Sequence, residues 1–285
     1  MSNSAIEVRP IAGALGAEIS GIDLASDLND GVFEHVHGAF LKHNVIFFRG
    51  QKLTPAQQVA FARRFGEIHL HPFVQGLDEQ PEIIELIKRE DEKRNFGGTW
   101  HTDQAFSPKP VLGTILYARE TPPYGGDTLF ANLYLAYEEL SEGMKRMIAD
   151  LRTHNVGDRG KRAGGPSRAE RSKGETTMRI REPDPNEPTE AVHPLVRTYP
   201  ETGRKALYLS SHTIRFEDMT EEESAPLLAW LRQHITRPEF TCRFRWEPGS
   251  LAVWDNRCTQ HKALNDYAGF RRVMHRITVK GDTPF

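Results

Sequence analysis

Phe240 to Trp246 and Ser250 to Trp254 are two strand patterns split only by the turn Glu247-Pro-Gly249, and a third pattern, Arg272 to Val279, follows closely. Strands packed this tightly commit the C-terminal part of the chain to a sheet. The same character recurs upstream. Val45-Ile-Phe-Phe48 reads as a short buried strand, as do Ile83 to Ile87 and Leu112 to Tyr117, and His193-Pro-Leu-Val-Arg197 returns to strand character. Helical signals come in separate pieces. Thr54-Pro55-Ala-Gln57 reads as a capping box with proline at the first helical position, opening a helix that ends near Phe65-Gly66. Ser141 to Leu151 carries Met144, Met147, Ile148 and Leu151 at helical spacing, and Thr220-Glu-Glu-Glu223 leads a helix through about His234. Short strands interrupted by a few helices predict a β-rich α+β domain, spanning 1–285, with helices packed outside the sheets.

One stretch breaks the pattern. Asp158 to Glu190 is rich in Gly, Pro, Ser, Arg, Lys and Glu and nearly empty of aliphatic residues, so it cannot bury a core of its own. It reads either as a disordered insertion or as a mobile lid over a site. The net charge of −2 gives no reason to expect a nucleic-acid or acidic-membrane partner. No apolar run approaches the ~18 residues a bilayer span needs. The start, Met-Ser-Asn-Ser-Ala-Ile-Glu-Val-Arg, has no signal-peptide apolar region, and the two cysteines, Cys242 and Cys258, make no disulfide framework. A cytoplasmic, reduced location is the expectation.

His101-Thr-Asp103 is the first sign of chemistry. Residues i and i+2 share a face only in an extended segment, whereas on a helix they splay about 200° apart. The tripeptide therefore reads as a two-ligand metal clip, although a surface loop with a satisfied histidine would look the same. The best third ligand is His261, in Trp254-Asp-Asn-Arg-Cys-Thr-Gln-His261, just past a strand end. Two histidines and one carboxylate on one face leave positions open for non-haem Fe(II) and oxygen chemistry. In Phe270-Arg-Arg-Val-Met-His-Arg-Ile277, Arg272, Met274 and Arg276 share one strand face, with the arginines about 13 Å apart. Two cations on an inward face call for anionic partners, from the protein or from ligands.

These residues, with Phe65-Gly-Glu-Ile-His-Leu-His-Pro72, Gly125-Gly-Asp-Thr128 and His193-Pro-Leu-Val-Arg-Thr198, resemble the Fe(II)/2-oxoglutarate dioxygenase family typified by taurine dioxygenase and 2,4-dichlorophenoxyacetate dioxygenase. The blocks occur in family order over nearly the whole chain. The resemblance implies a double-stranded β-helix (jelly roll) core with flanking helices, and possible homo-dimers or homo-tetramers. It implies that His101, Asp103 and His261 bind Fe(II) and are the catalytic centre. Arg272 would hold the far carboxylate of the co-substrate 2-oxoglutarate, and Thr128 would donate a hydrogen bond to it. Arg276 and His71 would meet a small anionic organic substrate, with Phe106 and Trp254 walling its pocket. O2 would be consumed, succinate and CO2 released, and a substrate C–H hydroxylated. Asp103 stands where halogenases of this superfamily have Ala or Gly, which favours hydroxylation. Gly97 and Val74 depart from the taurine-specific pattern, so a sulfonate, a sulfate ester or a carboxylate such as a phenoxyalkanoate are all open as substrate.

Two alternatives stand beside this reading: a zinc hydrolase using the same His/Asp/His set, and a non-catalytic jelly-roll protein that binds a small anion. Of the other histidines, His35, His37 and His43 read as surface residues, His69 should face away from His71, and His275 should be packed or hydrogen-bonded. His212 is a candidate for the pocket border, His193 is ambiguous, and Cys258 reads as a packed thiol.

Overall fold

The computed structural model describes residues 6–173, 176–184 and 186–285. The first five residues, which open the N-terminal start read above, and Gly174, Glu175 and Pro185 of the anomalous stretch lie outside that description. Two facing sheets form the core, as expected of a jelly roll. The larger runs Glu7–Pro10, Ala17–Ser20, Val45–Phe48, Leu251–Asp255, Gly113–Glu120, Arg272–Val279 and Ile68–His69, with Ile84–Lys88 also paired to Arg272–Val279. The smaller runs Thr241–Phe244, Thr128–Asn132, Thr259–Ala263. Strand alternation decides what each face buries. Leu116, Ala118, Met274, Ala252 and Trp254 meet Phe130 and Phe244 between the sheets. The opposite face of the larger sheet offers Ile115, Val253 and Ile277 to Val36 and Phe40 of helix Asp30–His43 and to Val59 and Phe61 of helix Pro55–Arg63. The outer face of the smaller sheet packs on Leu228, Leu231 and Ile235 of helix Glu221–Ile235.

The helix starts follow their sequence signals. Thr54 and Thr220 both close complete capping boxes, with Gln57 and Glu223 respectively. One helix is shorter than its periodicity predicts: Glu142–Ile148 stops before Leu151. The chain turns there because Arg152–Val156 pairs with Glu190–Pro194, which overrides local propensity. Among the described residues no helix is long and apolar enough to cross a membrane.

The 158–190 stretch has no core of its own. Its two short helices, Arg159–Arg162 and Arg168–Ser172, bury none of their residues. It is held by Met178 and Ile180, which pack on Phe73, Val74, Ile84 and Phe106, and by polar stitching. Arg181 donates from its backbone to Phe73 O and from its guanidinium to Pro72 O and His71 O, and Gln75 donates to Arg179 O. Thr177 reaches Ile87 O and, through its backbone, Glu92. The described part of the stretch is thus laid along the loop that carries His71.

Candidate active site

His101 and His261 are brought together by backbone pairing. His101 N donates to His261 O at 3.1 Å, and His261 N donates to His101 O at 2.8 Å. This single bridge ties the loop bearing the clip to the strand Thr259–Ala263 and sets the imidazole centroids 4.2 Å apart. Asp103 completes the set: one ligand atom from each of the three residues lies within 4.8 Å of the others. His101 Nε2 is 3.7 Å from Asp103 Oδ1, and His261 Nε2 is 3.9 Å from Asp103 Oδ2. His101 Nδ1 donates to Thr99 O at 2.7 Å, which leaves Nε2 as the free lone pair. Burial, only partly opposed by Asp103 and Thr99 O, lowers the His101 pKa, and burial together with the charge of His101 takes that of His261 well below 6.5. Both rings are therefore neutral, the state a metal ligand needs.

Asp103 is oriented by its neighbours. Thr114 Oγ1 donates to Asp103 Oδ2 at 2.6 Å, and Asn256 Oδ1 accepts from Asp103 N at 3.2 Å. Asn256 also donates to Thr114 Oγ1 and accepts from Trp254 Nε1, so one amide joins the clip, the Gly113–Glu120 strand and Trp254. Burial pushes the Asp103 carboxyl up, but Arg276, the two imidazoles and Thr114 outweigh it and hold the carboxyl far below the usual range. Arg276 Nη2 lies 2.7 Å from Asp103 Oδ1 but off the line a hydrogen bond requires, so the contact is Coulombic.

Two cavities meet at this cluster. The inner one is lined by Thr128, Arg272, Trp254, Leu116 and Leu86 together with the three candidate ligands. Arg272 is buried there, and its Nε and Nη2 have no hydrogen-bond partner among the described residues. Burial lowers its pKa, against the opposing pull of Tyr267 and Asp127. An unpartnered buried guanidinium is costly, and a carboxylate relieves that cost with the matching planar geometry. Thr128 Oγ1 accepts from Trp246 Nε1 at 2.9 Å, which leaves its own hydroxyl hydrogen to donate into the cavity. The donor set, the orphaned guanidinium of Arg272 and the free hydroxyl hydrogen of Thr128 fit an iron ion and a dicarboxylate.

The outer cavity, about 800 Å³, holds His71, Phe96, Phe106, Arg168, His212 and Arg276 around the same cluster. His71 Nδ1 accepts from Phe73 N at 3.0 Å, so the proton of the neutral ring sits on Nε2. Burial first, then the cations Arg276 and Arg168, keep that ring neutral. Phe106 stacks edge-on against Phe73 and His212, with centroids 5.4 and 4.9 Å away. Trp254 does not wall this cavity; it sits behind His261, centroids 4.6 Å apart, and lines the inner one. Val74 is also absent from the outer wall, since it is bridged to Ile180.

Gly97 belongs to a fixed stretch, not a loose one. Asn95 Nδ2 donates to Leu264 O, and Ala263 N donates to Gly97 O at 2.9 Å. At φ +78° a Cβ on Gly97 would lie 3.2 Å from His101 Cε1. His69 lies outside both cavity walls, as its alternation with His71 predicts, yet burial and the charge of Arg276 push its pKa down to about 4. His275 bonds Gln58, His193 bonds Ser107 O, and Cys258 is a buried thiol. His35 is exposed, while His37 is half-buried between Phe33 and Phe40. Thr114, Asn256, Gln104 and Arg168 escaped sequence reasoning. Gln104 follows Asp103 at φ 53°, buried, with both amide atoms unpartnered among the described residues.

A jelly roll with two histidines and a carboxylate clustered between an orphaned arginine and an open cavity has the architecture of a non-haem iron oxygenase. The family described as "Taurine catabolism dioxygenase TauD, TfdA family" matches residues 7–278. The chain is 37% identical over 278 residues to an alkylsulfatase of Acinetobacter baylyi, covering 97% of this chain and 86% of that protein. It is 35% identical over 284 residues to an alpha-ketoglutarate-dependent sulfate ester dioxygenase of Pseudomonas putida, covering 98% and 91% respectively. The crystal structure of a taurine dioxygenase from Burkholderia xenovorans superposes with a TM-score of 0.80 at 38% identity, covering 99% of this chain and 93% of that one. The chain belongs to the TauD, TfdA family and is an Fe(II)- and 2-oxoglutarate-dependent dioxygenase that uses O2. Neither a zinc hydrolase nor a non-catalytic binding protein accords with that membership.

Proposed function

We propose that His101, Asp103 and His261 hold the iron, that Arg272 and Thr128 hold 2-oxoglutarate, and that the enzyme hydroxylates a small organic anion seated in the outer cavity. The observation that carries this reading is the convergence of His101, Asp103 and His261 between Arg272, whose Nε and Nη2 have no partner among the described residues, and a cavity lined by the cations Arg168 and Arg276. When bound, iron and 2-oxoglutarate supply the activated oxygen, and the co-substrate leaves as succinate and CO2. The protein's part is placement. Thr99 O and Thr114 Oγ1 fix the ligand orientations, and Arg272 fixes the co-substrate by its remote carboxylate. Arg276 and the Nε2–H of His71 fix the substrate by its anion, so that one carbon faces the metal. Phe106, pinned between Phe73 and His212, keeps that side of the cavity apolar.

The relatives include an alkylsulfatase, a sulfate ester dioxygenase, a sulfonate dioxygenase and a phenoxypropionate dioxygenase. Hydroxylation of the carbon next to a sulfate-ester or ether oxygen gives a hemiacetal-like product that releases the heteroatom group. Alkyl sulfates, alkanesulfonates and phenoxy acids should therefore be screened for O2-dependent succinate release with Fe(II) and ascorbate. Turnover stimulated by at least one of these anions is expected. Stimulation only by uncharged compounds would sink the assignment of an anionic substrate.

A further inference from the structure

We propose that Arg168, carried into the outer cavity by the 158–190 stretch, is a specificity-determining residue that binds the anionic head of the prime substrate alongside Arg276. This rests on the reading that the prime substrate is a small anion. Arg168 lines the cavity and is half-buried. Among the described residues its guanidinium makes no hydrogen bond and no ion pair; its contacts are with the faces of Phe73 and Phe96, each centroid 5.8 Å away. Arg276 stands at the same distance, 5.8 Å, from the centroid of Phe96, so one ring carries both cations. The carboxylates of the cavity are already engaged. Asp103 faces Arg276, and Asp266 accepts from Gly126 N and faces Arg243. Arg168 thus faces the cavity with no carboxylate paired to its guanidinium among the described residues; burial lowers its pKa, opposed by the nearby charge of Asp158 and reinforced by Arg276. A desolvated guanidinium on two aromatic faces is a site waiting for an oxyanion.

Its placement is built, not incidental. Asp158 collects three donors: Arg168 N, Lys161 N at 3.3 Å and Arg171 Nη2 at 3.0 Å. Ser167 caps the short helix that Arg168 opens, with Glu170 closing the box. The preceding Gly157 lies so close to Phe106 that an added Cβ would meet the ring at 3.0 Å. Asp158 is thus a positioning residue: it anchors the stretch beside the substrate-facing Phe106 and aims Arg168 back at Arg276. A guanidinium with no ion pair on the cavity side makes the cavity select for charge. The enzyme should prefer an anion over a neutral molecule of equal shape, and Arg168 should supply much of that preference.

The test is equilibrium binding by calorimetry, under anaerobic conditions, to the enzyme loaded with Fe(II) and 2-oxoglutarate. The probes are hexyl sulfate, hexane-1-sulfonate and phenoxyacetate, with hexan-1-ol as the neutral control. Arg168→Gln should weaken the best-bound anion about ten- to a hundredfold, the span of a charge-assisted hydrogen bond. It should leave hexan-1-ol and 2-oxoglutarate binding unchanged. Arg168→Lys should restore part of the loss, because it returns the charge without the planar fork. Asp158→Ala should weaken the same anion by a smaller factor and add nothing on top of Arg168→Gln. If wild type binds an anion and Arg168→Gln binds it equally well, or loses hexan-1-ol or 2-oxoglutarate to the same degree, the role of Arg168 is overturned and the anionic-substrate reading survives. If wild type binds none of the three anions, that reading falls and this inference with it.

Discussion

At the scale of single residues, the candidate iron site is an arrangement of lone pairs, and the residues behind the ligands decide whether those lone pairs converge. Thr114 is the clearest case. Its hydroxyl donates to Asp103 while accepting from Asn256, so Thr114→Val keeps the shape and removes the orientation. Iron affinity should fall about 10- to 100-fold with the fold intact, measured by Fe(II) titration beside a circular-dichroism melt. Unchanged affinity would mean that Asp103 needs no orienting partner. Gly97→Ala tests the other side of the cluster. A left-handed backbone and a Cβ at 3.2 Å from His101 Cε1 should together cost on the order of 1–2 kcal/mol in thermal stability and loosen iron. The clustering of His101, Asp103 and His261 was legible, because His-x-Asp has meaning only in extended chain and His261 follows a strand. Thr114 and Asn256 were not. Each is a common polar residue whose role arises from a partner 142 positions away in sequence.

Among the elements, the Arg272–Val279 strand does most to arrange the site. Period-two alternation sends Arg272, Met274 and Arg276 inward and Val273, His275 and Ile277 outward, as the pattern predicts. The outcome for the two arginines differs from a simple division of labour. Arg272 Nε and Nη2 have no hydrogen-bond partner among the described residues, whereas Arg276 already faces Asp103. Arg272→Gln should raise the KM for 2-oxoglutarate at least about tenfold and spare iron binding, as expected for loss of a charged hydrogen bond. Arg276→Gln should raise the KM for the prime substrate and also shift iron affinity, since it removes the charge that offsets Asp103. Equal effects of the two changes on 2-oxoglutarate would contradict this separation. Strand ends were less legible than strand identities. Gly113–Glu120 runs past Tyr117 because Ala118 and Glu120 pair with Met274 and Val273 of the Arg272–Val279 strand, and pairing is not written in local composition. The 158–190 stretch was the least legible, because side-chain bonds to distant backbone carbonyls hold it and no apolar pattern announces them.

For the whole molecule, buried neutral histidines link stability to pH. His193 is almost fully buried, joins the Glu190–Pro194 strand to the loop beyond Asp103 through Ser107 O, and has its pKa pushed down to about 4 by burial. Above pH 6.5 the ring is neutral in both folded and unfolded chains, so it costs nothing. As pH falls from 6.5 towards 4 the unfolded chain takes up the proton first, and folding loses up to roughly 3 kcal/mol at this residue. His193→Gln should flatten the fall in melting temperature across that window, and an undiminished pH slope would show that other groups carry it. Sheets, helices and side chains join in one mouth at His101, Asp103, His261 and Arg272. This arrangement is tested most directly by a crystal structure of the enzyme with Mn(II) in place of iron and with 2-oxoglutarate. The metal is expected on His101 Nε2, an Asp103 carboxylate oxygen and His261 Nε2, with the remote carboxylate of 2-oxoglutarate on Arg272 and Thr128. A metal bound without Asp103, or a co-substrate carboxylate seated on Arg168 or Arg276 instead of Arg272, would contradict it.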